Sequence, residues 1–278
     1  QKAFHDSSIL EFEDLVKGKL HMDTDLIGDF VIMKSNGAPT YNYAVVIDDA
    51  LMKISHVIRG EDHISNTYKQ ILIFEALGFE VPRFGHLGMI LAPDRSKLSK
   101  RHGATAVSDF VEQGYLTEAL LNFVALLGWA PTDNTEIFSM DELIKAFDPA
   151  GISKSPSVFD YDKLEWVNAE YIKKMDSAEF LKNAKPFYDA LGIDASNYEM
   201  LEEILKPRIT RFTQITEKLL FLKEFGDFDL SLFEHKKSKS TLETSKSILA
   251  ALIPTLEGLD WNRDSIKSTI QDYDGNAL

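Results

Sequence analysis

The sequence contains no cysteine, and this absence excludes several classes of site. Without thiols the chain can form neither disulfide bonds nor thiolate metal centres, so a zinc site would need histidine and carboxylate ligands alone. The seven histidines are scattered without the spacing that metal ligands show. The sequence therefore predicts no zinc and no other resident metal.

Long apolar runs and an excess of positive charge are also missing. No stretch approaches the roughly 18 to 20 residues that cross a bilayer, and the start, QKAFHDSSILEFEDL, does not resemble a signal peptide. We expect no membrane segment and a cytoplasmic location. The 30 Lys and Arg face 44 Asp and Glu, a formal net charge of -14. This charge disfavours indiscriminate nucleic-acid binding but not one local contact, because screening acts beyond about 8 Å.

Strand-like and helix-like patterns alternate over the first hundred residues, which predicts parallel βαβ units. The second predicted helix has Ser65, Asn66 and Thr67 as candidate N-caps and Gly78 as its end. The predicted strands are 29–34, 54–58 and 84–91, and the predicted helices are 40–52 and 66–77.

After about residue 105 the pattern is typical of helices only, so the predicted fold class is α/β followed by all-α. Ser139 and Glu142 form a capping box, and four or five amphipathic helices are expected after Asp176. Trp129 and Trp166 are expected in the core. The other predicted helices are 117–127, 141–147 and 162–175.

A cationic segment, DRSKLSKRHGATA at 94–106, stands out in this acidic chain. Lys97 and Lys100 are flexible point charges that suit a polyphosphate, and Gly103 allows close backbone approach. The segment leaves a predicted strand, and ligands of βα folds bind beyond the carboxyl ends of strands. A merely solvated basic loop is the alternative.

KLSKRHGATAV resembles the KMSKS signature of class I aminoacyl-tRNA synthetases, in the form found in bacterial glutamyl-tRNA synthetases. The resemblance covers about residues 12 to 175. It implies the second half of a Rossmann-like nucleotide fold, then a stem-contact region and a helical-bundle anticodon-binding region. The implied domains are 1–25 (end of the acceptor-stem insertion), 26–105 (catalytic fold), 106–175 (stem contact) and 176–278 (anticodon binding). The further matching stretches are GDFVIMKSNGAPTYNYAVVIDDALM, HVIRGEDHISNTYKQILIFEALG, LLNFVALLGWAP and AFDPAGISKSPSVFDYDKLEWVNAEYI.

The resemblance implies a glutamate–tRNA ligase activity. ATP and L-glutamate form glutamyl-adenylate, and the glutamyl group then passes to the 3′-terminal adenosine of tRNA(Glu). Lys100 matches the principal phosphate-contacting lysine and Lys97 its assistant, so both are the expected catalytic residues. Both lysines and Asp62 are expected to bind ATP. Magnesium is expected to arrive with ATP.

Arg59 matches the arginine that recognises the substrate's side-chain carboxylate, and Tyr41 matches a tyrosine of the glutamate pocket. A guanidinium can pair bidentately with a carboxylate, which supports the assignment of Arg59. The alternatives are a surface ion pair of Arg59 with Glu61 or Asp62, and core packing of Tyr41. The candidate tRNA contacts, for which a solvated surface is the alternative, are Arg101 and, on neighbouring faces of one predicted helix, Lys206, Arg208 and Arg211.

A class I synthetase also has a HIGH-type tetrad upstream of the region matched here. Gly85-His86-Leu87-Gly88 resembles it superficially, but this tetrad lies on the strand that feeds the cationic loop, so we expect His86 to be a strand residue. We therefore expect the chain to begin inside the acceptor-stem insertion, to expose an apolar sheet edge and to be inactive alone. The full-length protein is expected to be a monomer.

Two other functions compete with the ligase. A non-catalytic tRNA-binding or regulatory paralogue would not need both a phosphate loop and an amino-acid pocket. A short paralogue that glutamylates a modified tRNA base lacks the helical extension predicted here. Both are therefore less favoured than the ligase.

Overall fold

The computed structural model describes residues 9–99, 101, 103, 106–223, 229–237, 239–260 and 262–276. The chain divides into two compact units, residues 1–219 and 220–278. The first contains the sheets and most of the helices, and the second is helical. The order α/β followed by all-α is confirmed. The predicted boundaries near residues 25, 105 and 175 all fall within the first unit and remain predictions.

A mixed sheet opens the first unit, and within the described residues its strand order is β2-β1-β4-β3. Its strands are β1 (Ile9–Asp14), β2 (Gly18–Asp23), β3 (His56–Gly60) and β4 (Arg83–Leu87). β1 and β2 form an antiparallel hairpin, and β1 and β3 each pair in parallel with β4. β3 is an edge strand of the described sheet and exposes 52% of Ile58, in agreement with the expected apolar edge.

Helices α1 (Thr24–Ile27), α2 (Tyr41–Leu51) and α3 (Ile64–Leu77) accompany this sheet. α3 crosses from β3 to β4 and completes the predicted parallel βαβ unit. Val46 of α2 and Phe74 of α3 are buried in one apolar cluster with Leu10 and Phe84 of the strands.

The start of α3 differs from the prediction, whereas its end agrees. A 3-10 helix, Glu61–His63, runs directly into α3, so the three candidate caps lie inside its first turns and the N-cap position, His63, makes no side-chain cap hydrogen bond. Gly78 ends the helix with φ 68°, the left-handed conformation that glycine adopts without a Cβ penalty. The hydroxyl of Thr67 is therefore available for other contacts.

The predicted strand at 29–34 is wrong. Met33 forms only an isolated bridge with Pro39 across a turn at Gly37. Val31, Ile32 and Met33 are all exposed, because no neighbouring strand of the described residues covers their alternating side chains.

The predicted strand at 84–91 breaks at Gly88 into β4 and a second strand, β5 (Ile90–Leu91). β5 pairs in parallel with β6 (Ser157–Val158), so the prediction of helices alone after residue 105 is also wrong. A two-residue strand is too short to show periodicity, which is why the sequence did not reveal it. A Cβ on Gly88 would collide with the backbone of Ser155, so glycine allows the two segments to meet.

Helices form the remainder of the first unit around two main cores. Leu164 and Val167 pack with Phe110 and Phe123 in one, and the other gathers apolar residues between Ile172 and Leu219. The helices are α4 (Val107–Glu112), α5 (Thr117–Gly128), α6 (Met140–Ala146), α7 (Tyr161–Lys174), α8 (Ser177–Leu191), α9 (Tyr198–Leu205) and α10 (Gln214–Leu219).

The predicted capping box at the start of α6 is present, with the Ser139 hydroxyl accepting from the Glu142 backbone and the Glu142 carboxylate accepting from Ser139. Trp129 is buried as predicted, but Trp166 is 39% exposed. Trp166 lies off the buried Leu164 face of α7, and the Lys163 ammonium is 4.1 Å from its ring centroid. The core prediction is thus wrong for Trp166.

The predicted helix containing Lys206, Arg208 and Arg211 is not formed. α9 ends at Leu205, and turns lead from there to α10. Pro207 has no backbone N–H to continue the helical hydrogen bonds. The three cations therefore lie on a connection rather than on adjacent faces of one helix.

The second unit contains the helices α11 (Leu242–Glu257) and α12 (Arg263–Asn276), preceded by a short 3-10 helix at Leu230–Phe233. Thr241 caps α11, and the Ser245 hydroxyl donates to the Phe233 carbonyl. With five α-helices from Ser177 onward in the described residues, the predicted number of four or five is confirmed. None of the helices described, in either unit, has the length and apolarity of a bilayer-spanning segment.

We predict that Gly88→Ala destabilises the first unit, because the new methyl group must push β5 away from the Ser155 backbone. The free energy of unfolding in urea should fall by about 1 to 3 kcal/mol, the usual cost of overpacking. Gly128→Ala is the matched control, because a Cβ there meets no atom within 4 Å. Equal stability of the two variants would contradict the role assigned to Gly88.

Candidate active site

The cationic segment begins with a tight hairpin that directly follows β5. The Ala92 amide donates to the Ser96 carbonyl at 2.8 Å, and the Asp94 carboxylate accepts from the Ser96 amide at 2.9 Å. Leu98 packs against the apolar core around Phe110, which belongs to the layer of helices α4 to α10 in the first unit, called the helical layer below. The loop is therefore anchored in the helical layer as well as in the strand that precedes it.

Lys97 projects from this hairpin with most of its side chain exposed. Its ammonium lies 3.0 Å from the Asp62 carboxylate, and this hydrogen bond holds the pKa of Asp62 below its ordinary value. Asp62 belongs to the 3-10 helix that follows β3 directly. Two of the predicted ATP-contacting residues are thus in contact beyond the carboxyl end of β3. Lys100 lies outside the described residues, and Arg101 is exposed.

Arg59 lies near the end of β3 and is held by uncharged partners. Its Nη2 donates to the Thr67 hydroxyl and to the Gln70 carbonyl oxygen, both at 2.7 Å. Its Nε donates to His86 Nε2 at 3.4 Å, and its Cζ is 5.5 Å from the centroid of the Phe84 ring. Both hydrogens of Nη2 and the hydrogen of Nε are thus directed at protein groups.

The charge of Arg59 is partly withdrawn from solvent. Burial lowers the pKa of its guanidinium, while Tyr41 and Asp49 raise it. The alternative of a surface ion pair between Arg59 and Glu61 or Asp62 does not describe this arrangement, because these carboxylates bind Lys17 and Lys97.

Tyr41 is the first residue of α2 and is 54% exposed, so the alternative of core packing is wrong. Its side chain is close enough to the Arg59 guanidinium to raise the pKa of that group. Its ring centroid is 5.9 Å from that of His63. The predicted amino-acid pocket residues Tyr41 and Arg59 are therefore neighbours, next to the 3-10 helix that carries Asp62.

A buried Asp–His hydrogen bond, which the sequence did not reveal, lies behind Arg59. His86 is a strand residue as predicted, and its Nδ1 is 2.6 Å from the Asp14 carboxylate. Both side chains are fully buried. The other Asp14 oxygen accepts from the backbone amides of Val16, Lys17 and His86 at 2.9 to 3.1 Å.

The protonation of this pair follows from its surroundings. Burial raises the pKa of Asp14, but the hydrogen bonds from Lys17, His86 and Val16 outweigh it and lower the pKa overall. Burial lowers the pKa of His86 more than the Asp14 carboxylate raises it, and Arg59 lowers it further. The pair therefore consists of a carboxylate and a neutral imidazole whose Nδ1 carries the proton.

Glu61 and Lys17 link this region to the helical layer. The Lys17 ammonium is 2.5 Å from one Glu61 oxygen and also donates to the Lys154 carbonyl at 2.5 Å. The other Glu61 oxygen accepts from the Met89 amide at 3.1 Å. The hydrogen bond from Lys17 lowers the pKa of Glu61. Glu61 thus connects the β1–β2 turn to Met89, the residue before β5.

The cations predicted to contact tRNA from the helical connection already have protein partners. Lys206 binds Glu202 at 3.0 Å and donates to the Met175 carbonyl. The Arg208 guanidinium donates to the Ile204 carbonyl at 2.6 Å, and that of Arg211 lies 3.3 Å from the Glu165 carboxylate. Contact of these residues with tRNA remains a prediction. Over the described ranges, no group of His, Asp and Glu side chains is arranged to hold a metal ion.

Comparisons with protein families support the sequence resemblance. Residues 2–166 match the family model described as tRNA synthetases class I (E and Q), catalytic domain, and residues 179–274 match the model described as anticodon binding domain.

Individual relatives and solved structures agree with the family matches. The glutamate–tRNA ligase 1 of a Thermoanaerobacter species is 47% identical over 88% of this chain and 53% of its own length. The glutamate–tRNA ligase of Aquifex aeolicus is 48% identical over 87% of this chain and 52% of its own. A crystal structure of a glutamate tRNA ligase from Elizabethkingia meningosepticum, in complex with its amino acid, has a TM-score of 0.79 at 32% identity and covers 95% of this chain and 56% of its own. The chain thus spans about half the length of the curated relatives it matches.

We predict that the stability of the first unit falls as the pH is lowered from about 7 to 5. The folded-state pKa of His86 is depressed below its ordinary value of 6.5. The unfolded chain therefore takes up a proton near pH 6.5 that the folded protein still excludes, and the stabilisation is lost as the pH falls towards the folded-state pKa.

The measurement is the free energy of unfolding in urea at several pH values. His86→Gln should flatten the dependence between about pH 7 and pH 5, whereas His21→Gln, at an exposed position, should preserve it. Equal slopes for the wild type and His86→Gln would show that His86 is not held neutral.

Proposed function

This chain belongs to the tRNA synthetases of class I (E and Q), and we propose that it functions in a glutamate–tRNA ligase, whose activity belongs to the polypeptide of the full reading frame rather than to these 278 residues alone. In the proposed reaction the α-carboxylate of L-glutamate attacks the α-phosphate of ATP, giving glutamyl-adenylate and releasing pyrophosphate. A ribose hydroxyl of the 3′-terminal adenosine of tRNA(Glu) then attacks the activated carbonyl and releases AMP.

The single observation that carries the proposal is the convergence of Arg59, Tyr41, Asp62 and Lys97 around the C-terminal end of β3. This end of a parallel strand is where ligands bind in βα folds. The guanidinium of Arg59, which suits an acidic side chain, and the ammonium of Lys97, which suits a phosphate, therefore lie in one region. An adenylation reaction requires this, because the amino acid and ATP must bind side by side.

Lys97 is proposed to stabilise the charge that grows on the triphosphate, with Lys100 as the principal contact. Because Lys97 binds Asp62 in this structure, ATP phosphate would compete with the Asp62 carboxylate for the ammonium group. The long lysine side chain on an exposed hairpin can exchange one partner for the other with little cost. Asp62 would then be available to contact ATP itself.

Arg59 is proposed to receive the side-chain carboxylate of glutamate together with Tyr41. Thr67 and Gln70 already accept both hydrogens of Nη2, so the carboxylate would bind the Nη1 side or displace one of these acceptors. The amide of glutamine would compensate the guanidinium charge poorly, and a mismatch of this kind gives strong discrimination.

The remaining parts of the proposal follow from the family. Class I synthetases use ATP, and we propose that Mg²⁺ arrives with it and that no zinc is needed. Arg101, Lys206, Arg208 and Arg211 are proposed tRNA contacts. We also propose that the full-length protein is cytoplasmic and monomeric. No comparison favours the non-catalytic paralogue.

We predict that Arg59→Lys impairs the use of glutamate more than the use of ATP. Lysine keeps the charge but cannot reproduce the planar set of donors. The loss of one charge-assisted hydrogen bond, about 1.5 to 3 kcal/mol, should lower kcat/KM for glutamate by about 10- to 100-fold. ATP–pyrophosphate exchange in the presence of tRNA measures the effect, using the polypeptide encoded by the full reading frame that contains this chain.

Arg83→Lys, at an exposed position on the adjacent strand β4, is the matched control and should leave kcat/KM unchanged. An unchanged kcat/KM for glutamate in Arg59→Lys would overturn the assignment of Arg59.

We predict that Lys97→Ala acts on the chemical step. Removal of one charge that stabilises the transition state should cost about 3 to 4 kcal/mol, seen as a fall of a few hundred-fold in the exchange rate at saturating substrate. The KM for glutamate should change little. Lys34→Ala removes another exposed lysine, one that is not part of the cationic segment, and should have no effect. A Lys97→Ala enzyme with the wild-type rate would contradict the phosphate role.

A further inference from the structure

His86 connects a buried carboxylate to the guanidinium of Arg59. Its Nδ1 faces Asp14 at 2.6 Å and its Nε2 faces Arg59 Nε at 3.4 Å. All three residues belong to adjacent strands: Asp14 ends β1, His86 is in β4, and Arg59 is opposite His86 in β3. The register places Arg59 opposite His86, and Asp14, whose register partner is Phe84, reaches His86 with its side chain. A negative, a neutral and a positive side chain thus form a row across the three strands.

The hydrogen bonds fix which group donates in this row. Asp14 accepts from three backbone amides through one oxygen, which leaves the other to accept the proton of His86 Nδ1. Nε2 of the neutral ring is then an acceptor. The Thr67 hydroxyl lies 3.0 Å from Nε2 and 3.1 Å from the His63 carbonyl, so its single proton can serve either acceptor. The Nε–H of Arg59 is the other donor that faces Nε2, at 3.4 Å.

A second support holds the other end of the guanidinium. Gln70 accepts from Arg59 Nη2, and its own amide donates to the Asn42 side chain at 3.0 Å. Gln70 and Thr67 are both fully buried on α3. The guanidinium is therefore fixed at two nitrogens by side chains that packing holds in place.

We infer that His86, oriented by Asp14, is a positioning residue for Arg59. By accepting from Nε it sets the rotation of the guanidinium and directs the opposite edge towards the substrate. The inference rests on the proposed function, because it is the proposed binding of glutamate by Arg59 that gives this rotation a consequence.

A neutral imidazole suits this position better than a second cation or an apolar group. An imidazolium would repel Arg59 and would offer it no acceptor. An apolar side chain would leave the buried carboxylate of Asp14 with an unpaired oxygen. The neutral ring satisfies both neighbours and couples the charge of Asp14 to that of Arg59 through two hydrogen bonds.

Two amide variants separate positioning from mere structural support. In His86→Asn the amide nitrogen can take the place of Nδ1 and still donate to Asp14, but the side chain is too short to reach Arg59. In His86→Gln the amide oxygen can take the place of Nε2 and accept from Arg59, but the donor to Asp14 is lost. Unfolding in urea and ATP–pyrophosphate exchange are measured for both variants in the polypeptide of the full reading frame.

The inference predicts that the KM for glutamate rises about tenfold or more in His86→Asn, the effect of one lost charge-assisted hydrogen bond. The KM for ATP should stay unchanged, and His86→Gln should keep a glutamate KM nearer the wild type even where it is less stable. If His86→Asn has the wild-type KM, or if both variants lose activity only in proportion to their stability, the inference is overturned.

A spectroscopic measurement on this 278-residue chain tests the contact without any activity. Hydrogen exchange of the Arg59 Nε–H, followed by NMR, should be slow in the wild type and His86→Gln and faster in His86→Asn. Equal exchange in all three proteins would overturn the inference. The Arg59→Lys variant keeps the two hypotheses apart: if it uses glutamate normally, the proposed role of Arg59 fails, whatever the exchange of the Arg59 Nε–H shows in the other three proteins.

Discussion

A guanidinium that is partly withdrawn from water needs acceptors for its donors, and this requirement organises the sheet region of the protein. Arg59 receives them from α3, through Thr67 and Gln70, and from β4, through His86. Each of these elements is held by the apolar cluster between the helices and the sheet. The βαβ unit brings β3 and β4 side by side. It therefore also supplies the hydrogen-bond acceptors that stabilise the positive charge of the partly buried Arg59.

The cationic loop belongs to two layers of the structure. It leaves the sheet after β4, but its strand β5 pairs with β6 of the helical layer, and Leu98 enters the helical core. Glu61 and Lys17 connect the same two layers beside the Asp62 contact. The position of Lys97 relative to Arg59 therefore depends on how the sheet and the helical layer of the first unit pack together, and not on the loop sequence alone.

Helices could be predicted from the sequence where the hydrophobic periodicity and the capping residues indicate the same helix. α2, the end of α3 at Gly78 and the capping box of α6 follow from local residues, and the structure confirms them. The strand predicted at 29–34 is not formed, because a segment of alternating apolar and polar residues becomes a strand only when a partner strand pairs with it. β6 is too short for any pattern to show.

For the candidate site, sequence motifs identified the residues proposed to bind the substrates but not the residues behind them. Arg59, Tyr41, Asp62 and Lys97 lie in recognisable stretches, and the structure brings them together. Asp14 and His86 are 72 residues apart and meet only because β1 and β4 are neighbours. Nothing local distinguishes such a histidine from any other strand residue, so strand order had to be known first.

The row of groups across the sheet limits how the amino-acid preference of such a protein could be redesigned. Exchanging Arg59 for a neutral side chain would remove the cation that the buried carboxylate of Asp14 faces through His86. The Asp14 carboxylate would keep its hydrogen bonds from the backbone amides and from His86, but the buried partners of Arg59 would lose their donor, so the new pocket would come with a weakened fold. A change of substrate here would have to include these acceptors as well, with Arg59 and its buried partners exchanged as one set.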